Sequence, residues 1–461
     1  MSDITSTTQR TSRTGSGYTA HLKAALTGDP DACFVWLCNF EVENQWARDH
    51  VGLPAPRLSA TEPTVRRMEE LGALLADPAD HLILGQPLDG EYRDYAEQAG
   101  FALPTEVVAD GAGLGTSSAV LRAPDVRSRL TRLGEQGAYL MPMGNSRDEQ
   151  RIAELTGLRL AVPDADTFER VNSKIYSRRL VDELGLRAVP GHCCETVAEL
   201  RAAIADGPWP LIVKDAYGVS GKGLVVLDGP VKAARLLRMV EQRAKRTGVE
   251  RLDVVVERFL AKRFDLNYQF TIDRDGWLRL DFVKEALTAH GVHMGHVMPA
   301  NLTPAQLRDI EVATERLGAR LYADGFFGVV GVDALLGDDD LVYPVLEINA
   351  RLNMSSYQGP VTERFLRPGY SALAKYHPLR LHEPVAFREV LRALGDLADP
   401  PVDGTGAVVT CFGTVNAQAG TSMPFDGRLY SVLFGPDRDA LAALDNRIEG
   451  ALRVLTVAGG A

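Results

Sequence analysis

The sequence has little cysteine: five in 461 residues. Cys33 and Cys38 lie five apart, Cys193 and Cys194 are adjacent, and Cys411 stands alone, so no C-x-x-C pair exists. A disulfide framework is therefore excluded and a reduced, cytoplasmic setting is expected. No His or Cys pairs cluster at the spacing of a zinc site. Long apolar runs are absent too. Gly325 to Val332 spans eight residues and ends at Asp333, far short of the ~18 needed to cross a bilayer, so no membrane partner is expected. The N-terminus is rich in Ser and Thr and lacks the apolar core of a secretory signal. H-E-x-x-H, G-x-S-x-G and Walker A patterns do not occur. Positive charge is in deficit, with 61 acids against 50 bases and a net charge of −11, which argues against a general nucleic-acid binder.

What is present suits a large soluble globular protein. Hydrophobic residues make up 45%, enough for several cores, and the length allows about three domains at ~150 residues each. Residues 1–17 form a polar tail that should be disordered. Ala32 to Cys38, His81 to Leu84 and Ala138 to Pro142 read as short buried strands. Helical patterns such as Thr64 to Leu75 and Ser146 to Leu155 separate them, which implies a small parallel sheet covered by helices in a domain spanning 18–165. Gly111-Ala-Gly113-Leu-Gly115 reads as a loop, because Thr116 stands where a dinucleotide fingerprint needs its last glycine.

Further along, a helix is expected from about Asn172 to Leu184, then a second capped by Thr196. Cys193 and Cys194 fall in the linker between them. Leu211 to Asp215 and Gly223 to Asp228 read as a hairpin, followed by a basic helix from Pro230 to about Arg246 and a strand over Val254 to Glu257. Strands continue from Tyr268 to Leu287. Thr303-Pro304 opens a helix with Leu307, Ile310, Ala313, Leu317 and Leu321 on one face. Two strands follow, Phe326 to Leu336 and Leu341 to Ala350. Pro400-Pro401 marks a boundary before strands at Ala407 to Val415 and Leu429 to Phe434 and a helix from Asp437 to Leu452. The expected units are 166–250, 251–395 and 396–461.

Two places carry chemistry. The loop Tyr217-Gly-Val-Ser-Gly-Lys-Gly223 sits between strands, so it is a hairpin flap. Gly218, Gly221 and Gly223 let backbone N–H groups approach phosphate oxygens, Ser220 and Lys222 add a hydroxyl and a charge, and Lys214 precedes it on the strand. The alternative is a hairpin tip with a solvated lysine. The second place is Glu347-Ile-Asn349. Residues two apart on a strand share a face, so a carboxylate and an amide oxygen project together, a partial shell for magnesium. A turn near residue 340 brings Asp333 opposite Glu347, where two facing carboxylates favour a cation between them. The alternative is a polar sheet edge in water.

Together these features resemble the ATP-grasp superfamily, in the right order over about residues 170 to 355. The residues that carry the resemblance are Lys174, Lys214 and its flap, Val256 to Leu260, Asp265, Gly331-Val-Asp333 and Glu347-Ile-Asn-Ala-Arg351. The resemblance implies ATP and Mg2+ as cofactors and a two-lobed fold. It implies Lys174 and Lys214 on the α- and β-phosphates, and backbone near Phe259 and Leu260 at the adenine edge. Glu257 and Asp265 would accept from the adenine amine and the ribose, Asp333, Glu347 and Asn349 would hold the metal, and Arg351 would steady the transferred phosphoryl group or its acceptor. Met294-Gly-His296-Val-Met-Pro299 is similar to the glycine-histidine stretch of amino-acid ligases in the superfamily. There His296 would lie near the acyl phosphate; the alternative is a histidine satisfied in a loop. Asn353 to Ser356 would line the carboxylate pocket. With Asn39 to Glu43, this stretch resembles peptide ligases that carry a pre-ATP-grasp domain.

The expected fold is thus α/β (α+β), with an N-terminal parallel-sheet domain, a two-lobed ATP-grasp fold and a small C-terminal α+β region. The expected activity is ATP-dependent amide formation between a carboxylate and an amine, from amino acids or short peptides, in specialised biosynthesis. The resemblance also implies a homodimer. Two other readings are a biotin-dependent carboxylase, whose Met-Lys-Met carrier motif this chain lacks, and a non-catalytic nucleotide-binding protein.

Overall fold

The structure, a computed structural model, describes residues 17–46, 51–53, 62–111, 113–217, 223–289, 292–421 and 423–457. The expected tail falls, save its last residue, outside these, as do Gly218, Ser220, Gly221 and Lys222. Among the described residues no helix is long and apolar enough to cross a membrane.

The N-terminal part is a parallel sheet of β1 (Phe34–Leu37), β2 (His81–Leu84), β3 (Thr105–Val108), β4 (Tyr139–Pro142) and β5 (Arg159–Leu160), in the order β3-β2-β1-β4-β5. Every residue of β1 is buried, because β1 is central and helices cover both faces, which is why it reads as an unbroken apolar run. β1 is also the strand at which the order reverses. Chain leaving its carboxyl end enters a crevice of the kind where open α/β sheets place functional groups. The 3-10 turn Val42–Gln45 begins there.

The second sheet is small and antiparallel: β6 (Gly191–Cys194), β7 (Leu211–Asp215), β8 (Leu224–Leu227) and β9 (Val254–Arg258), ordered β6-β9-β7-β8. It has a core of its own, built from Leu200, Val213, Leu227, Leu236, Val240 and Val256 among others. Its helices Val197–Asp206, with a Thr196 capping box, and Pro230–Thr247 lie where capping and periodicity put them. Cys193 and Cys194 are part of β6 and not of a linker. Cys194 is buried, as a small apolar side chain would be.

The third sheet has eight antiparallel strands: β10 (Lys262–Ile272), β11 (Leu278–Ala289), β12 (Val292–Met298), β13 (Gly328–Gly337), β14 (Val342–Asn349), β15 (Ser371–Leu381), β16 (Gly406–Cys411) and β17 (Phe425–Gly435). Their order is β14-β13-β10-β11-β12-β15-β17-β16. The segment after residue 396 therefore adds two strands to the sheet that carries Glu347. The glycine-histidine stretch is a strand, β12, and not a loop. Gly295 permits it: a Cβ there would lie 2.1 Å from the carbonyl oxygen of Ala374 on β15, so only glycine allows the two backbones to pair.

Candidate active site

β13 and β14 pair so that Asp333 stands directly opposite Glu347, and Gly331 opposite Asn349. The turn near residue 340 sets this register, and the bulge between Asp333 and Leu335 absorbs Pro344. The two carboxylates face one another across the sheet. Burial, and then the charge of Glu347, push the Asp333 carboxyl up to about 6. Hydrogen bonding from Asn267 and the charges of Arg351 and Lys174 oppose that rise.

Cations and amides close the carboxylate pair. Lys174, at the start of the helix Lys174–Glu183, places Nζ 2.6 Å from Glu347 Oε1. Asn267 donates to Asp333 Oδ1 at 2.9 Å and Asn349 donates to Asp333 Oδ2 at 3.1 Å. Arg351 donates to Asn349 Oδ1 at 2.9 Å and pairs with Glu43. The oxygen that Asn349 would offer a metal accepts one bond from Arg351, which leaves its second lone pair for a ligand. Two facing carboxylates with an amide oxygen beside them are a donor set that fits a hard divalent cation.

The small sheet supplies a second cluster. Lys214 on β7 sets Nζ 2.5 Å from Glu257 Oε2 on β9, and Arg178 Nη1 lies 3.7 Å from Glu257 Oε1. Glu257 is buried, so Lys214 has a carboxylate partner here, away from Glu347. Phe259 and Leu260 follow β9. The Phe259 N–H is given to the Pro210 carbonyl at 3.0 Å, which leaves its carbonyl as the polar group at that edge, and its ring is exposed. Asp265 on β10 accepts from Lys262 Nζ at 2.6 Å on both oxygens and from Thr288 Oγ1 at 2.8 Å. Of the flap, Tyr217 and Gly223 are described: the Gly223 carbonyl accepts from Asp215 N–H at 2.8 Å and its φ is +84°, a conformation suited to glycine.

His296 lies on β12, opposite Ala286 of β11 and Ala374 of β15. It is 3% exposed. Ser355 Oγ is 3.1 Å from Nε2, and Gln358 Nε2 is 3.3 Å from Nδ1. Burial, then His293 and Lys284, push the ring well below the usual imidazole range. Ser355 and Gln358 thus hold the ring in place beside the carboxylate row.

Sequence reasoning missed the roles of Glu43, Asn267, Lys284 and Gln358. Glu43 reaches Arg351 from the turn after β1, and burial pushes its carboxyl up against the pull of Arg351. Asn267 had a readable signal: Asp265, Asn267 and Gln269 alternate with Leu266, Tyr268 and Phe270 on β10, a period of two. Beside the same turn lies a cavity of about 230 Å³ lined by Asn39, Glu41, Asn44, Arg66 and Asp148 among others. Neither Asp333 nor Glu347 lines it.

Comparison with known proteins agrees with this layout. The family described as Pre ATP-grasp domain matches residues 68–158, and the family described as Carbamoyl-phosphate synthase L chain, ATP binding domain, matches residues 173–366. A [Butirosin acyl-carrier protein]--L-glutamate ligase of Niallia circulans is 25% identical over 335 residues, which is 71% of this chain and 74% of the relative. The carbamoyl phosphate synthase large chain of Xanthomonas axonopodis pv. citri (strain 306) is 24% identical over 44% of this chain, a segment that covers 18% of that relative. Two solved structures share the fold. An ADP complex of N5-carboxyaminoimidazole ribonucleotide synthetase superposes with a TM-score of 0.54 at 12% identity, covering 92% of this chain and 97% of that one. Biotin carboxylase from Campylobacter jejuni superposes with a TM-score of 0.52 at 13% identity, covering 89% of each chain. The chain thus carries a pre-ATP-grasp domain over residues 68–158, ahead of an ATP-binding domain of the ATP-grasp type over residues 173–366.

Proposed function

We propose that this chain is an ATP-dependent ligase that joins the carboxylate of an amino acid or short peptide to an amine, through an acyl phosphate. The observation that carries the reading is the Asp333–Glu347 pair, flanked by Lys174 and Arg351. Asp333, Glu347 and Asn349 would hold Mg2+, which neutralises phosphate charge when bound.

The chain's own residues do the rest. Lys174 leaves Glu347 for an inner phosphate of ATP, and Lys214 leaves Glu257 in the same way. The flap residues Gly218, Ser220, Gly221, Lys222 and Gly223 cover the phosphates. Phe259 and Leu260 border the adenine, and Glu257 and Asp265 accept from its amine and from the ribose. Arg351, anchored by Glu43, faces the γ-phosphoryl group. A carboxylate oxygen attacks the γ-phosphorus, the bond to the β-phosphate oxygen breaks, and ADP leaves. The amine then attacks the acyl carbon, the C–O bond to phosphate breaks, the nitrogen loses a proton, and amide and phosphate form.

The relative from Niallia circulans is named for joining L-glutamate to an acyl-carrier protein, which supports amino-acid activation and raises a second acceptor, a thiol on a carrier. Pairs of amino acids, supplied with ATP and read by phosphate release and mass spectrometry, test the reading. An amide product with ADP supports it. Release of ADP that depends on a carrier thiol and on no amine favours the second acceptor.

A further inference from the structure

Val51 and Leu53 come from the N-terminal part of the chain, yet they are buried in the core of the small four-stranded sheet, in one cluster with Cys194, Val240 and Leu252. Their backbone is held there as well. The Val51 N–H donates to the Arg251 carbonyl at 2.7 Å and the Leu53 N–H to Asp215 Oδ2 at 2.6 Å, while Arg243 Nη1 donates to the Leu53 carbonyl at 3.3 Å. Two apolar side chains removed from water and three paired backbone groups make this a docked segment and not a passing contact.

Its anchor lies at an informative place. Asp215 ends β7, one residue after Lys214. The Asp215 N–H donates to the Gly223 carbonyl at 2.8 Å, and Oδ1 accepts from the Tyr217 N–H at 3.3 Å, so this residue ties both described ends of the flap. The next carbonyl, that of Ala216, accepts from the Lys174 N–H at 2.9 Å. Lys174, Lys214 and the flap ends thus converge on residues 214–216. The Asp215 carboxylate gives one oxygen to Tyr217 and the other to Leu53. A carboxylate held on both oxygens by backbone N–H groups has a fixed orientation.

Ten positions before Leu53, Glu43 pairs with Arg351. One stretch of the N-terminal part therefore reaches the arginine proposed for the γ-phosphoryl group and also the foot of the flap. The reaction described above uses neither Asp215 nor Leu53.

We infer that Asp215 is a positioning residue and that residues 51–53 are a strap: through Asp215 the N-terminal part fixes Lys214 and the flap ends relative to the lobe that carries Arg351, and so sets the affinity for the phosphates of a nucleotide. The inference rests on the nucleotide site proposed above and not on the amine acceptor.

The test is calorimetric binding of ATP and of adenosine to the full chain, with hydrogen exchange as a check on docking. In the wild type the Val51 and Leu53 amides should exchange slowly, because both are bonded. Asp215→Asn keeps the shape but turns an NH2 toward one of the two N–H groups, so ATP affinity should fall about tenfold. Leu53→Asp sets a second carboxylate against Asp215 and should release the strap with a similar loss. Leu53→Met keeps the burial and the N–H and should bind ATP as the wild type does. Adenosine lacks the phosphates and should bind all four proteins within about twofold of one another, whereas general damage to the lobe would weaken both ligands alike. Fast exchange of the Leu53 amide in the wild type, unchanged ATP affinity in either folded variant, Asp215→Asn or Leu53→Asp, or equal losses for ATP and adenosine overturns the inference. A selective loss of ATP affinity in a protein whose wild type ligates no amine sustains the strap while refuting the ligase reading.

Discussion

Asp333 and Glu347 face each other across β13 and β14, and the Lys174 ammonium sits 2.6 Å from Glu347. The lysine proposed for the phosphates thus pairs with a carboxylate proposed for the metal. Binding Mg-ATP exchanges one cation for another, so nucleotide and metal should bind as a unit.

Glu347→Gln removes one charge from the pair and keeps its shape. Charge on the phosphates grows toward the transition state, so kcat should fall roughly 10²–10³-fold while nucleotide affinity changes less. Steady-state kinetics with calorimetric nucleotide binding checks this; near-normal turnover removes the metal assignment.

Glu43→Gln cuts the anchor that the N-terminal sheet gives Arg351. The guanidinium is largely buried and would lose its carboxylate partner, so the thermal midpoint should drop, and kcat should fall with little change in KM for ATP. Wild-type stability and turnover together would show that Arg351 is held by other groups.

Gly295→Ala should cost about 1–3 kcal/mol, because the new Cβ meets the β15 backbone and the strands must part. Urea denaturation measures it. An unchanged midpoint would mean that the β12–β15 pairing is looser than described.

Acid should weaken the fold through His377 on β15. It faces Lys375 on its own strand, Ser431 on β17, and Asp445 and Glu449 on the helix Arg438–Val457. The lysine already bridges both acids, at 2.9 and 2.8 Å, and takes the place a metal ion would need. Burial, then Lys375, lowers the His377 ring from 6.5 to about 4. The folded value lies below the unfolded one. The stabilisation is therefore complete above about pH 6.5 and is lost as pH falls toward 4, by up to about 3 kcal/mol. Asp445, raised by burial, responds in the opposite sense, so wild type and His377→Gln should be compared. The wild type should lose more stability between pH 7 and 4.5; equal losses would contradict the assignment.

Much of this was legible in the sequence, where one strand or loop carries the signal. The Asp333–Glu347 facing followed from spacing and a turn, and the parallel sheet from short apolar runs between helices. What was not legible arises between distant segments. Glu43 lies 308 positions before Arg351, and no local pattern pairs them. Lys284 reads as an ordinary strand lysine until the register puts it beside Asn267. His296 was visible, but its neighbours Ser355 and Gln358 arrive from the chain after β14 and no local pattern pairs them with it. The β15–β17 strands extend the large sheet because β12 offers them an edge, a fact of topology that Pro400-Pro401 does not reveal.

The measurement that tests the central claim most directly is the identity of the nucleotide product when hydroxylamine is added with ATP and the carboxylate substrate. Activation as an acyl phosphate predicts ADP together with a hydroxamate, both lost in Glu347→Gln. AMP and pyrophosphate with the same substrate would contradict the account, even with the fold as described.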